Sequence, residues 1–201
     1  MMAKQPYHKE NLRRDLLEAG RDYVRANGHH GLSIRKLAQQ VGVSPGAPYH
    51  HFPDRRSFLL ALAVDSFEQL EEQAADDADS GISTHQSVAD RARQFVSFAL
   101  ENPHMLELMY ESELTRPELD PQLRTFQEKS HTAGTEIIMQ NMPGLSEKEA
   151  GLRNMGLWTS IYGLVSMIAK GIIRPFGDGD YTLDEICDWV VDRAARSALA
   201  P

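Results

Sequence analysis

The apolar residues of this 201-residue chain recur at intervals of three and four residues, and they do not alternate strictly with polar residues as in a half-buried strand. Leu12, Leu16, Ala19 and Tyr23 form one such series, and Gly28 follows it as glycine commonly follows the last turn of a helix. Because a period of 3.6 residues gathers these side chains on one helix face, the sequence predicts an all-α fold of about nine helices.

Helix start and stop signals divide the chain into these predicted elements. The expected helices cover about residues 12–27, 33–41, 44–52, 54–77, 84–101, 104–113, 118–141, 147–173 and 183–199. Four capping boxes mark helix starts: Ser83 with Gln86, Thr115 with Glu118, Ser146 with Glu149, and Thr182 with Glu185. The polar segment "DDADSGIS" predicts a loop after the fourth helix.

The helices at 33–41 and 44–52 have the spacing of a helix-turn-helix motif. Ala38 is a small residue that allows the second helix to approach the first, and Gly42 accepts the positive φ that the turn requires. The sequence therefore predicts a helix-turn-helix unit over residues 1–53, followed by a larger helical bundle over residues 54–201.

Charge is distributed unevenly along the chain. Residues 1–60 contain ten Lys and Arg against five Asp and Glu, whereas residues 61–201 contain eleven against twenty-four. A basic end on an acidic protein favours nucleic-acid binding through that end. Taken alone, the charge is explained equally well by two differently charged solvated surfaces.

The stretch "GLSIRKLAQQVGVSPGAPYHHFPDRRSFLLAL", residues 31–62, resembles the DNA-binding domain of the tetracycline-repressor family of bacterial regulators. The positions that match the family pattern are Ser33, Leu37, Ala38, Gly42, Val43, Ser44, Gly46, Tyr49, His51, Phe52 and Leu59. Residues 158–173 are similar to the Trp-x-x-x-His-Gly-Leu helix of one branch of these regulators, although Tyr162 stands at the histidine position.

The resemblance implies transcriptional repression that a small molecule relieves, with Arg35 reaching a base edge and Ser33, Tyr49, His51 and Arg55 holding phosphates. Pro45, Gly46 and Ala47 present small or apolar surface to bases, whereas Lys36 and His50 are equally well interpreted as solvated bystanders. The predicted DNA-binding set is Ser33, Arg35, Lys36, Ser44, Pro45, Gly46, Ala47, Tyr49, His50, His51 and Arg55. Phe52 is expected in the core.

Pro48 is the main departure from the family pattern, which has Leu at this inward-facing position. Ser44 is a suitable N-cap and Pro45 a suitable first helical residue, but Pro48 has no amide hydrogen to donate to the Ser44 carbonyl. We therefore expect a helix that starts at Pro48, after an irregular lead-in from Ser44 to Ala47. The alternative is a small-molecule-binding protein whose DNA-binding unit Pro48 has made degenerate.

The bundle offers aromatic and methionine side chains for a small apolar or amphipathic ligand. The candidates are Phe98, Met105, Met109, Tyr110, Phe126, Trp158 and Tyr162, each of which is individually more typical of plain core. Residues 155–173 are apolar nearly all round, but their polar members and short length favour a buried interface helix over a membrane span. The helices near 147–173 and 183–199 are expected to pair with their copies in a homodimer that binds an inverted repeat.

Several classes of protein are excluded on composition and motifs. A single cysteine, Cys187, rules out an internal disulfide framework, and the N-terminus lacks the apolar core of a signal peptide, so we expect a cytoplasmic protein. No catalytic or cofactor motif is found, which argues against an enzyme. The histidine pairs at 29–30 and 50–51 have no Cys or carboxylate at ligand spacing, so the sequence predicts no metal site.

Overall fold

A computed structural model of the chain describes residues 9–78, 84–115, 120–175 and 181–200. Its α-helices are α1 (Lys9–Asn27), α2 (Ile34–Gln40), α3 (Arg55–Ala78), α4 (Thr84–Glu101), α5 (Pro103–Leu106), α6 (Pro121–Asn141), α7 (Glu147–Ala169) and α8 (Leu183–Ala198). Short 3₁₀ turns occur at Ala47–His50 and Glu113–Thr115, and a π-helical stretch covers Glu107–Glu111. Since these ranges contain no strand, the predicted all-α fold is confirmed.

The helix boundaries follow the predicted ones closely except at three places, one of which is the segment 44–52. The predicted helix at 104–113 is α5 continued by the π-helical stretch. The predicted helix at 147–173 ends at Ala169, because the chain turns at Gly171 with a φ of 68° that other residues rarely adopt.

Two of the predicted capping boxes lie wholly within the described residues. Thr182 and Glu185 make both bonds of the box at the start of α8. At the start of α7 the Ser146 hydroxyl accepts a bond from the Glu149 amide. The boxes at 83–86 and 115–118 include residues outside the described ranges.

The described helices divide into two compact units. The first unit combines the chain up to Gln69 with Asn102–Leu123, and the second combines Leu70–Glu101 with the chain from Arg124 onward. The first unit therefore consists of two segments that are separated in sequence.

In the first unit, α2 and α5 both pack against α1. The core contains fully buried side chains that include Leu16, Leu37, Phe58 and Leu62. Gly20 of α1 lies so close to α3 that a Cβ built on it would be 2.6 Å from the Phe58 ring. A part-buried ion pair between Arg21 and Asp65, with an N···O distance of 3.0 Å, also joins these two helices.

In the second unit, α4, α7 and α8 pack against one another. Phe95 of α4 lies on Trp158 of α7 with ring centroids 4.8 Å apart. Several large apolar side chains of this unit are nevertheless exposed: Met139, Leu152, Met155, Trp158, Met167, Ile172, Tyr181 and Trp189. Among the described residues, no helix combines the length and the apolar content that a membrane span requires.

Candidate nucleic-acid interface

The turn between α2 and the following segment has the predicted geometry. Gly42 adopts a φ of 77°, and the Val43 amide donates to the Ala38 carbonyl over 2.9 Å. A Cβ at Gly42 would meet no described atom within 4 Å, so the backbone conformation rather than crowding requires glycine here. Ala38 is fully buried, as its predicted role in close helix approach demands.

The recognition segment, residues 44–52, contains one 3₁₀ turn at Ala47–His50 instead of the expected α-helix. Ser44 does not cap it, because the N-cap position is Gly46 and no side chain caps the turn. The turn begins at Ala47, one residue before the expected helix start at Pro48. The Ser44 carbonyl accepts from the Ala47 amide at 3.0 Å. An α-helix starting at Ser44 would need the amide that Pro48 lacks, so the chain forms a tighter turn that begins one residue before the proline.

One side of the recognition segment is anchored in the core of the first unit. Pro48 is buried, as predicted for its inward-facing position. Phe52 is also buried, as expected, and meets Phe58 edge to face with ring centroids 4.9 Å apart. The other side of the segment faces outward, with Tyr49 40% exposed and Ser44, Pro45, Gly46 and His50 also exposed.

A shallow cleft of about 230 Å³ brings several predicted DNA-binding residues together. It is lined by Leu32, Ser33, Ile34, Arg35, Tyr49 and Arg55. Ser33 occupies the N-cap position of α2, yet its hydroxyl makes no capping bond. The cleft thus combines two hydroxyl groups with two guanidinium groups, which are the donors that bind phosphate oxygens.

The two arginines of the cleft have different surroundings. Arg35 is exposed and forms no ion pair within the described ranges. Arg55 is half-buried and donates to the backbone carbonyls of Leu32 at 3.2 Å and His30 at 3.0 Å, and also to that of His29. Arg55 therefore braces the loop before α2, a role that the sequence motif does not indicate.

The start of α3 fixes the far end of the recognition segment. The Asp54 carboxylate accepts from the Ser57 amide at 2.7 Å and from the Ser57 hydroxyl at 2.8 Å. The hydrogen bond from the Ser57 backbone amide is the main reason that the pKa of the Asp54 carboxyl is lowered from 3.8. An Asp three residues before a Ser at a helix start is a sequence signal for this cap.

The remaining predicted DNA-binding residues do not line the cleft. Lys36 and His50 are exposed on α2 and the recognition segment, and Ala47 and His51 are half-buried. Their roles toward DNA stay predictions.

The ligand candidates are divided between the units. Met105, Met109 and Tyr110 belong to the first unit, where both methionines are buried and Tyr110 meets Phe67 edge to face at 5.1 Å. The other candidates, which belong to the second unit, are Phe98, Phe126, Trp158 and Tyr162. Trp158 and Tyr162 stack with ring centroids 6.2 Å apart. A ligand-binding role for either group stays a prediction.

The loop after α1 brings together three polar side chains that the sequence does not connect. His29 and His30 lie beside Glu107 of the π-helical stretch, and one ligand-capable atom from each lies within 4.8 Å of the others. Burial lowers the pKa of His29 from 6.5, and the neighbouring His30 acts in the same direction. The folded chain therefore favours the neutral His29 imidazole.

Two protein-family models match the chain. A model of bacterial regulatory proteins of the tetR family matches residues 16–62. A model of the tetracyclin repressor-like C-terminal domain matches residues 88–194. The second match alone covers more than half of the chain, and the two matches leave only the ends and a short central stretch outside.

The curated relatives share the N-terminal region. The HTH-type transcriptional repressor AcnR of Corynebacterium diphtheriae is 36% identical over 64 residues, which are 32% of this chain and 34% of that protein. The chain thus matches about a third of the length of this curated relative. The shared stretch is too short to transfer the activity of the whole protein.

Solved structures match nearly the whole chain. A protein of unknown function from Rhodococcus sp. RHA1 is 29% identical, covers 96% of this chain and 98% of its own, and superposes with a TM-score of 0.78. The transcriptional regulator FadR from Bacillus subtilis, in complex with stearoyl-CoA, is 17% identical, with coverages of 92% and 98% and a TM-score of 0.71. The second likeness establishes the fold alone. The similarity of residues 158–173 to one C-terminal branch stays a prediction.

Proposed function

Because this chain belongs to the tetracycline-repressor family of bacterial regulators, we propose that it is a sequence-specific DNA-binding repressor that a small molecule releases from its operator. The observation that carries the proposal is the cleft in which Ser33, Arg35, Tyr49 and Arg55 meet. Its donors lie beside the exposed side of the recognition segment, where phosphates and base edges can be contacted together. Such a protein acts in the cytoplasm, where bacterial DNA is located.

We assign base recognition to Arg35 and the outer surface of the recognition segment. Arg35 is exposed without an ion-pair partner in the described ranges, so its guanidinium is available for the paired acceptors of a guanine edge. Ser44, Pro45, Gly46 and Ala47 present small side chains to neighbouring bases. The short 3₁₀ turn limits this contact surface to fewer residues than an α-helix of several turns would offer.

The phosphate contacts are assigned to Ser33, Tyr49, His51 and Arg55, with Lys36 and His50 at the edge of the surface. The Ser33 hydroxyl makes no helix-capping hydrogen bond, and the Tyr49 side chain in the cleft is 40% exposed. Arg55 already donates to loop carbonyls, so its further contribution is to hold Ser33 and the start of α2 in place.

We further propose that α7 and α8 form the homodimer interface. Leu152 is 64% exposed, Met155 47% and Trp189 68%, which leaves large apolar side chains of these two helices open to solvent. Exposed apolar patches of this kind mark protein interfaces. Pairing the two helices with their copies would give a four-helix interface and place two recognition segments about one DNA turn apart on an inverted repeat.

Functionally, residues 1–53 are proposed as the DNA-binding part and residues 54–201 as the ligand-binding and dimerisation part. An apolar or amphipathic ligand suits the aromatic residues of the second unit, among which Phe95, Trp158 and Tyr162 form a contacting series. The fold of this chain is the one in which FadR of Bacillus subtilis was solved with stearoyl-CoA. Long-chain acyl-CoA is therefore the first ligand class to test, by its ability to release bound duplex.

The experiment that tests the DNA proposal is selection of duplexes from a random pool by the purified dimer. The same selection is run with Arg35→Ala and with the control Arg124→Ala, which removes an exposed arginine from α6 of the second unit. We expect wild type and Arg124→Ala to enrich the same inverted repeat. Arg35→Ala should lose preference at one base pair of each half-site, by about 1–3 kcal/mol.

Two outcomes would overturn the proposal. A folded dimer that enriches no sequence at low salt would mean that the DNA-binding unit is degenerate, as the proline in the recognition segment allows. Equal enrichment by wild type and Arg35→Ala would mean that Arg35 does not read a base. The first result would redirect the search to the ligand of the second unit.

A further inference from the structure

The loop that follows α1 carries two adjacent histidines with different environments. His29 is 3% exposed, and its Nδ1 is buried without a hydrogen-bond partner among the described residues. The His30 side chain is 82% exposed. Their rings are in contact, with centroids 4.1 Å apart and planes inclined by 34°. A buried imidazole nitrogen with no partner is costly unless a ligand or an ion completes it.

The π-helical stretch brings a carboxylate to the same place. The Glu107 Oε1 lies 3.5 Å from the His30 Nε2. One ligand-capable atom from each of His29, His30 and Glu107 lies within 4.8 Å of the other two. All three residues belong to the first unit, although almost eighty positions separate Glu107 from the histidines. π-Helical turns are rare and occur frequently at functional sites.

A fourth donor stands next to this cluster. The His104 Nδ1 lies 4.0 Å from the second carboxylate oxygen of Glu107. His104 also lies beside Gly28, where a Cβ would be 3.6 Å from the same Nδ1. The His104 side chain is 46% exposed, so it is accessible as a further ligand.

The donor set selects the kind of ion. Imidazole nitrogens together with one carboxylate oxygen suit zinc and related first-row transition ions, whereas magnesium and calcium prefer oxygen donors alone. Tetrahedral zinc with bonds of 2.0–2.1 Å keeps its donor atoms about 3.4 Å apart, close to the 3.5 Å between His30 and Glu107.

The backbone of both histidines is already fixed. Arg55 donates to the carbonyls of His29 and His30, and also to the carbonyl of Leu32. Ligands that the fold holds in place bind an ion with less loss of conformational freedom than ligands on a free loop.

We propose that His29, His30 and Glu107 form a binding site for a divalent transition-metal ion of the zinc type, with His104 or water as a further ligand. The sequence predicts no metal site because no carboxylate stands at ligand spacing from the histidines. The fold supplies that carboxylate from a distant segment. The site goes beyond DNA binding and is independent of the identity of the small molecule.

Zinc binding by tag-free, metal-free full-length protein tests the proposal, measured by competition with a chromophoric chelator. We expect one zinc ion per chain, with affinity reduced about tenfold or more in His30→Ala and in Glu107→Gln. The matched control is His50→Ala, which removes an exposed histidine from the other histidine pair. It should bind zinc as wild type does, and magnesium should not compete.

A second readout separates loss of the site from loss of the fold. Zinc should raise the thermal unfolding midpoint of wild type and His50→Ala but not of Glu107→Gln, because only the folded chain assembles the ligands. The His30 side chain is mostly exposed, so His30→Ala is expected to fold normally. Its circular dichroism spectrum checks that directly.

Equal zinc affinity in wild type, His30→Ala and Glu107→Gln would overturn the assignment, and so would absence of bound zinc in the wild type. A loss in His50→Ala as large as that in His30→Ala would overturn it as well. The titration contains no DNA, so its failure leaves the repressor proposal untouched. Equally, a failed duplex selection does not affect the proposal of a metal site.

Discussion

The two units bury their apolar residues to different extents. In the described part of the first unit, Tyr49 is the only large apolar side chain that is exposed rather than buried or half-buried, and it lies on the proposed DNA surface. In the second unit, α7 and α8 alone expose Leu152, Met155, Trp158, Met167 and Trp189. A unit with a closed core suits a polar partner, whereas a unit with an open apolar face suits a second apolar surface.

Charge follows the sequence rather than the two units. Residues 1–60 are basic and residues 61–201 are acidic, but the acidic residues of the segment 102–123 offset the basic excess within the first unit. The surface that each unit leaves uncovered, rather than its core, indicates what it binds. Four substitutions test this difference.

The largest expected effect is on the apolar face of the second unit. Trp189→Asp places a charge at the most exposed of the large apolar side chains, and we expect the dimer dissociation constant to rise about thirtyfold or more. Sedimentation velocity over a concentration series measures it. Met139→Asp changes an exposed methionine on α6 and should leave the dimer intact. Equal weakening by both substitutions would show that the interface is not confined to α7 and α8.

The closed core of the first unit is tested at Gly20. A Cβ there would lie 2.6 Å from the buried Phe58 ring, so Gly20→Ala should lower the free energy of unfolding by about 1–3 kcal/mol. Gly163→Ala is the matched helical control, since its Cβ would meet no described atom within 4 Å. It should be neutral or stabilising by about 0.4–1 kcal/mol. Urea unfolding compares the two, and equal effects would contradict the close contact between Gly20 and the Phe58 ring.

One ion pair from each unit provides a further test. The Arg21–Asp65 pair is part-buried at 3.0 Å, and Asp65 also accepts from Gln69. We expect Asp65→Asn to lower the free energy of unfolding by about 1 kcal/mol. The exposed Arg196–Asp192 pair on α8 should contribute only about 0.3–0.5 kcal/mol, so Asp192→Asn serves as control. Thermal unfolding measures the stability of both variants. A greater loss of stability in Asp192→Asn than in Asp65→Asn would contradict this ranking.

The smallest effect concerns helix caps at acidic pH. Hydrogen bonds lower the pKa of Asp54 from 3.8 and that of Glu185 from 4.5. A lowered folded-state pKa means that each carboxylate stabilises the fold above its unfolded pKa and loses this contribution as pH falls through the folded value. Stability should therefore decline less between pH 5 and about 3 in Asp54→Asn than in wild type. Urea unfolding at both pH values measures the free energy of unfolding. An equal loss of this free energy in wild type and Asp54→Asn would argue against the stabilising role of the Asp54 cap.

Local signals predict most of the fold. Helical period, capping residues and the glycine turn predict the start of α8 at Thr182 and the positive φ of Gly42, because these depend on neighbours within a few residues. The outward position of Tyr49 and the burial of Phe52 also follow from the motif.

Features that depend on distant residues are not predictable in this way. The missing amide of Pro48 indicates a disturbed helix, but the burial of the Pro48 ring depends on tertiary contacts. The bonds from Arg55 to the loop before α2 and the approach of Glu107 to His30 require tertiary contacts that no local pattern encodes.

The two separate segments of the first unit have a consequence for its folding during translation. Translation delivers the helix-turn-helix segment first, while α5, which packs on α1, follows only after the remainder of α3 and the whole of α4. At typical synthesis rates this interval lasts roughly a few seconds, during which part of the α1 surface stays uncovered. The nascent segment thus needs either a holding partner or intrinsic solubility until residues 102–123 emerge and complete it.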